Sequence, residues 1–233
     1  MIALLPWGAH EQHGPLLPAN TDTTIAEHVA NRIADKLDDC IVLDSIPYGV
    51  SIEHNGYSDT ISLSYSAAID MIKSILINAT QNSPDIELFV IINGHGGNQD
   101  VASMVCRELN YTTTGARFEV FHVFPTESRK LAKDLFGEFS AHADSVETSV
   151  WSSITNKFKD QESSIEEYDC KKSLPHAMKL YPVRDITNGG IVSKVDDLII
   201  NKDKGKQIID CSINAISEKI TEYLDTIHAF KQN

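Results

Sequence analysis

The segment GAHEQHGPLLPANTD, residues 8–22, sets Glu11, His13 and Asp22 directly after the apolar run IALLP that begins at Ile2. Glu11 and His13 are two positions apart, so in an extended segment leaving a strand their side chains point the same way and can share an ion. Gly14, Pro15 and Pro18 stiffen the segment, as a preorganised ligand set requires. Asp22 falls at the start of a helical pattern, TDTTIAEHVA, where backbone N–H groups and the helix dipole favour a carboxylate; a plain N-cap is the alternative. A second cluster is IINGHGGN, in which His95 stands among Gly94, Gly96 and Gly97. Such a turn permits positive φ and close backbone approach, and it would equally serve as a tight turn or a phosphate cradle. The phosphate pattern G-x-x-x-x-G-K-[ST] is absent. The third cluster, SAHADSVETS, places His142 and Glu147 five apart among small residues, where a helix cap is the plain alternative. Together the clusters offer imidazole and carboxylate ligands without thiolate. That set suits zinc, manganese or iron(II), and a bridging carboxylate would allow two ions about 3.5 Å apart.

The elements that must position these clusters follow from periodicity. IALLP from Ile2, CIVLD from Cys40, ELFVIIN from Glu87 and FEVFHVF from Phe118 read as buried strands. Between them Ile25, Val29, Ile33 and Leu37 recur every fourth residue, and Ile69, Ile72 and Leu76 share a helical face. Alternation of strand and helix predicts an α/β fold: a three-layer α/β/α domain over residues 1–233 with a mostly parallel central sheet. Sites in such sheets lie in loops after the carboxyl ends of strands. GAHEQHG follows the first strand and NGHGGN the third. Residues 157–185 turn polar and read as a surface excursion, and Gly205 to Phe230 carries Ile208, Ile209, Ile213, Ile216, Ile220, Leu224 and Ile227 at helical spacing, a terminal amphipathic helix on the sheet.

Bulk composition narrows the partners. Asp plus Glu is 33 against 20 Lys plus Arg, a net charge of -13, which repels phosphate backbones and anionic lipid alike. Nucleic acid and membrane surfaces are not expected partners. Cys40, Cys106, Cys170 and Cys211 are far apart and form no C-x-x-C pair, which fits reduced thiols in a cytoplasm. No apolar run approaches the roughly 20 residues needed to cross a bilayer, and no signal-peptide pattern opens the chain.

The three clusters, with YGVSIEHNGYSDTISLS and NGGIVSKVDDLIINKDKGK, resemble the creatininase family of metal-dependent amidohydrolases, and the matching segments run through nearly the whole chain in the family's order. The resemblance implies two divalent metal ions per chain (zinc, manganese or iron), hydrolysis of a carbon–nitrogen amide bond in a small molecule, and frequently a homo-oligomer, a hexamer. The metal ligands it implies are Glu11, His13, Asp22 as the bridge, and His95; its catalytic histidine falls on His142, in the stretch that contains Glu147. The ions would share a water that attacks the amide carbonyl as hydroxide, with His142 protonating the departing nitrogen. The chain departs from the family's usual residues at Ala9, Leu16, Ser58 and Asp59, and has Gly97 where creatininase proper has a metal-binding glutamate. With that glutamate missing, the ion held by His13 and Asp22 needs another carboxylate, for which Glu147 is the choice, as a ligand within the catalytic group. His54, after the second strand, is a candidate for orienting substrate, and Gly96 and Gly97 for lining its site. Cyclic amides, formamides and small peptide-like molecules are the substrates in view. Two other readings stand beside this one: a non-catalytic metal-binding or regulatory member, and a two-metal phosphoesterase, which the lack of basic residues in all three clusters disfavours.

Overall fold

A computed structural model of the chain describes residues 1–137, 142–170, 173 and 175–232. The described elements run β1 (Ile2–Trp7), α1 (Thr21–Ala34), β2 (Cys40–Val42), α2 (Tyr65–Asn82), β3 (Leu88–Asn93), α3 (Gln99–Thr112), β4 (Arg117–His122), α4 (Thr126–Phe136), α5 (Ser145–Thr155), β5 (Gln161–Ser164), α6 (Val183–Ile186), β6 (Asp197–Ile200) and α7 (Lys202–Lys231). β2, β1, β3 and β4 form, in that order, a wholly parallel sheet, with Ile2 opposite Leu88 and Leu88 opposite Arg117.

The strands sort their side chains by parity, because successive residues of a strand face opposite ways. Ile2, Leu4, Leu88, Val90 and Ile92 enter one core with residues of α1, α4, α5 and α7. Ala3, Leu5, Trp7, Phe89, Ile91, Phe118 and Val120 enter the other, with α2 and α3. Burial on both faces explains why β1 and β3 read as unbroken apolar runs rather than alternating ones. The three layers are therefore helices, parallel sheet and helices, as the alternating pattern predicts.

Three expectations need correction. β2 is a half-exposed edge strand of only three residues, since it has a neighbour on one side alone. α1 stops at Ala34, so Leu37 reaches the core from the turn beyond it, partly buried, instead of from the helix. The polar stretch 157–185 is more than a surface excursion: Ile165 and Cys170 are buried in the main core, and β5 pairs antiparallel with β6. Among the described residues no helix is long and apolar enough to cross a membrane.

The sheet reverses its winding between β1 and β3: from β1 the chain goes to β2 on one side and then returns to β3 on the other. A crevice opens at the carboxyl ends of strands where the winding reverses in this way. The first turn of α1 closes against it. Gly8 and Gly94, one after each of these strands, allow that approach, since a Cβ on Gly8 would lie 2.3 Å from Thr23 Oγ1 and one on Gly94 2.3 Å from the Asp22 carbonyl oxygen.

Candidate metal centre

Residues from both strand exits, from α1 and from α5 meet in this crevice. Asp22 is the second residue of α1, and the N-cap is Asn20, which makes no side-chain cap hydrogen bond. Asp22 is 2% exposed and is not a cap; its carboxylate spans two imidazoles. Oδ1 lies 3.2 Å from His13 Nε2, and Oδ2 lies 3.3 Å from His95 Nδ1. Glu11 Oε1 is 3.3 Å from the same nitrogen of His95. On the other side, Glu147 Oε2 stands 3.7 Å from His13 Nε2. At α5 the cap is Asp144, which accepts from Val146 and Glu147 N–H at 3.0 Å each, while Glu147 Oε2 accepts the Ala143 N–H at 2.7 Å, a bond that holds the carboxylate beside His13.

The backbone turns the rings to face one another. His13 Nδ1–H donates to the Glu11 carbonyl oxygen at 3.1 Å, and His95 Nε2–H donates to the Val50 carbonyl oxygen at 2.8 Å. Each ring therefore presents its other nitrogen to the carboxylates, which is the usual way a protein orients a histidine ligand. His142 precedes Ala143, whose φ of 52° is a left-handed conformation that costs energy in a residue other than glycine. That kink sets His142 over the cluster, its ring centroid 4.5 Å from that of His13 and 4.2 Å from that of His54.

The electrostatics favour positive charge here. Burial depresses the pKa of His13, but Asp22 and Glu147 outweigh it and raise it well above the usual imidazole value. Glu11 and Asp22 do the same for His95. Burial raises Glu11, with Asp22 adding and His95 opposing, while the histidines overcome burial at Asp22 and lower it. Burial, with His95 and His13 adding, holds His54 down at about 2, and burial with His54 and His13 puts His142 well below its ordinary value. His13 and His95 are thus the nitrogens at which positive charge is favoured, and a metal ion held there would displace a proton.

Three groups of donor atoms each lie within 4.8 Å of one another: Glu11, Asp22 and His95; His13, His142 and Glu147; and Glu11, His54 and His142. Both oxygens of Glu11, Oδ2 of Asp22 and Nε2 of His54 are buried without a hydrogen-bond partner. Orphaned buried polar atoms are costly, and divalent ions would satisfy these. All the residues singled out by sequence as ligands therefore converge. His10 stays outside, its ring 5.8 Å from that of Tyr48.

The two glycines differ. Gly96 is exposed, with nothing within 4 Å of where a Cβ would stand, so it can line an open site. Gly97 is instead packed against the protein: a Cβ would lie 2.1 Å from the Val50 oxygen and 2.6 Å from His95 Nε2. The backbone at Gly97 packs closely against Val50 and the His95 ring, and no glutamate can stand there without moving the backbone. Gly97→Ala should therefore destabilise by about 1–3 kcal/mol, the usual range for overpacking, whereas Gly96→Ala should stay within about 0.5 kcal/mol. Urea unfolding of both variants checks this; equal midpoints would contradict it.

Sequence reasoning missed Gln12, Glu53 and Asn98. Glu53 Oε1 is 3.6 Å from His95 Nε2. Asn98 accepts from Val50 N–H at 2.9 Å and donates to the Gly8 carbonyl oxygen at 2.9 Å, tying the loop at Val50 to the end of β1. Glu53 in SIEH, Asn98 in GHGGN and Gln12 between Glu11 and His13 carried no spacing signal; only the folded loops bring Glu53 to His95, Asn98 to Val50 and Gly8, and Gln12 to His54 and His142.

Fold and site together define an α/β protein with a buried carboxylate–imidazole centre able to hold divalent metal at the winding reversal of a parallel sheet. The family described as creatininase, creatinine amidohydrolase, matches residues 1–220, and the chain belongs to it. The mycofactocin precursor peptide peptidase of Mycolicibacterium smegmatis is 34% identical over 115 residues, 47% of this chain and 45% of that protein. The 2-amino-5-formylamino-6-ribosylaminopyrimidin-4(3H)-one 5'-monophosphate deformylase of Methanobrevibacter smithii is 33% identical over 102 residues, 42% of this chain and 41% of that protein. These matches span under half the length of either curated relative. A tryptophan-to-phenylalanine variant of creatininase superimposes with a TM-score of 0.76 at 21% identity, covering 95% of this chain and 90% of that one. Solved creatininases include a manganese form and a zinc–zinc form.

Proposed function

We propose that the protein hydrolyses a carbon–nitrogen amide bond in a small molecule with two divalent ions, zinc or manganese. The observation that carries this reading is the Asp22 carboxylate, whose two oxygens face two separate ligand groups. Glu11, Asp22 and His95 would hold one ion, and His13, Asp22 and Glu147 the other. Ions so held would polarise a carbonyl oxygen and lower the pKa of water toward about 7, making a nucleophile available at neutral pH.

The chain's own residues supply proton transfer. His142 Nε2–H donates to the Gln12 carbonyl oxygen at 2.8 Å, so its Nδ1 lone pair faces the centre, 3.6 Å from Glu11 Oε1. A base in that orientation takes a proton from the attacking water before it returns one to the leaving nitrogen. His142 thus acts first as acceptor and only then as the acid expected from sequence. The relatives' names support the bond class: one acts on a precursor peptide and the other removes a formyl group. Metal-free protein reloaded with zinc or manganese and assayed on lactams, formamides and short peptides should turn over one of these classes. Metal bound at two per chain with no turnover on any class would favour the non-catalytic reading.

A further inference from the structure

Gln12 stands between Glu11 and His13 and, because side chains alternate along an extended segment, points away from both. Its side chain is buried, and both ends of its amide make hydrogen-bond contacts. Oε1 accepts the Gly14 N–H at 2.9 Å, which sets the amide's orientation and turns the NH₂ group toward three atoms. These are the Gly190 carbonyl oxygen at 3.1 Å, His54 Nδ1 at 2.9 Å and His142 Nε2 at 2.9 Å. The NH₂ group has two protons. Gly190 oxygen can only accept, so it takes one. His142 Nε2 needs none, because it donates its own proton to the Gln12 carbonyl oxygen. The second amide proton goes to His54 Nδ1.

This assignment gives one amide proton each to the Gly190 oxygen and His54 Nδ1, leaves the amide nitrogen and His142 Nε2 as two donors 2.9 Å apart, and has a consequence for chemistry. With Nδ1 accepting, the uncharged His54 ring carries its proton on Nε2. That nitrogen lies 3.4 Å from Glu11 Oε1 and has no hydrogen-bond partner. His142 turns its lone pair toward the same oxygen. Two adjacent imidazoles thus face Glu11 Oε1 with opposite character, one a donor at 3.4 Å and one an acceptor at 3.6 Å.

We propose that Gln12 is a positioning residue that enforces this difference, making His54 an N–H donor to the substrate carbonyl oxygen while His142 accepts the proton of the attacking water. Glu11, His54 and His142 lie close enough to form a third metal group, but a protonated Nε2 removes His54 from the ligands. The water oxygen bonds to the carbonyl carbon and its proton passes to His142 Nδ1. The electron pair moved onto the carbonyl oxygen meets the His54 N–H. When the carbon–nitrogen bond breaks, His142 returns the proton to nitrogen. The assignment of a substrate role rests on the amidohydrolase reading above.

Ring-¹⁵N histidine NMR of the zinc-loaded protein tests it, with His54→Phe used to identify the His54 signals. The expected result is a proton bonded to Nε2 of His54 and none on Nδ1. A proton on Nδ1, or zinc bonded to Nε2, would overturn the proposal. Gln12→Glu offers an acceptor in place of the donor, so His54 should move its proton to Nδ1, and kcat should fall about 10²-fold, the lower end for losing one donor to a developing oxyanion, with little change in KM. An unchanged tautomer and kcat in that variant would overturn it too. If Gln12→Glu does not fold, the wild-type spectrum decides alone. Absence of amide turnover with zinc bound would count against the hydrolase reading and the substrate role of His54, while the proton positions remain readable from the same sample.

Discussion

Asp22→Asn is expected to lose at least one metal ion and nearly all hydrolysis while α1 stays folded. The two side chains have the same shape, so the first turn of α1 keeps its packing, and Asp22 makes no cap whose loss could unravel the helix. What disappears is the charge. The two oxygens stand 3.2 and 3.3 Å from nitrogens of two different histidines, and an amide can offer one oxygen as a neutral ligand but not two. The effect also reaches the metal-free protein. The pKa of Asp22 is lowered, so its ionised form contributes stability above the ordinary carboxylate range that is lost as pH falls through the folded value. The variant lacks that contribution, so its metal-free melting temperature should lie below wild type at pH 7 and approach it on acidification. Metal analysis per chain and circular dichroism decide the matter; two ions retained with normal ellipticity would sink the bridging role.

His142→Ala should behave in the opposite way, keeping metal near the wild-type content and lowering kcat by about 10²- to 10⁴-fold, the range for removing a general acid or base. The separation is predicted because Glu11, Asp22 and His95 remain grouped to hold one ion, and His13, with Asp22 at 3.2 Å and Glu147 at 3.7 Å from its Nε2, remains to hold the other. The competing outcome is concrete, since His142 also falls within 4.8 Å of His13 and Glu147. Loss of metal from this variant would make His142 a ligand. Exogenous imidazole that restores turnover without altering metal content would support proton transfer, because a small base can fill the cavity left by the ring.

Much of the architecture was legible in the sequence because it rests on local periodicity. Unbroken apolar runs at Ile2 and Leu88 can be buried on both faces only inside a parallel sheet, and the helical spacing from Ile208 to Ile220 leaves one apolar stripe to cover it. The exits of β1 and β3 already announced the ligands of the first two clusters, because glycines and prolines there hold imidazoles and carboxylates in loops too rigid to be mere linkers. The sequence by itself therefore determined the layers, the family and the residue types of the centre.

Three things were decided only by tertiary structure. Whether Asp22 caps a helix or spans two imidazoles depends on Gly8 and Gly94 letting two strand ends approach its backbone. That Gly97 must remain glycine follows from the Val50 carbonyl oxygen, 47 positions earlier in the chain, lying where its Cβ would be. And which nitrogen of each histidine faces the centre follows from partners such as the Gln12 amide, which reaches His54 and His142 across separations of 42 and 130 residues. Periodicity reports on neighbours within a turn or a strand, but a proton's position on an imidazole is set by whichever donor or acceptor the whole fold brings to within about 3 Å of the other nitrogen.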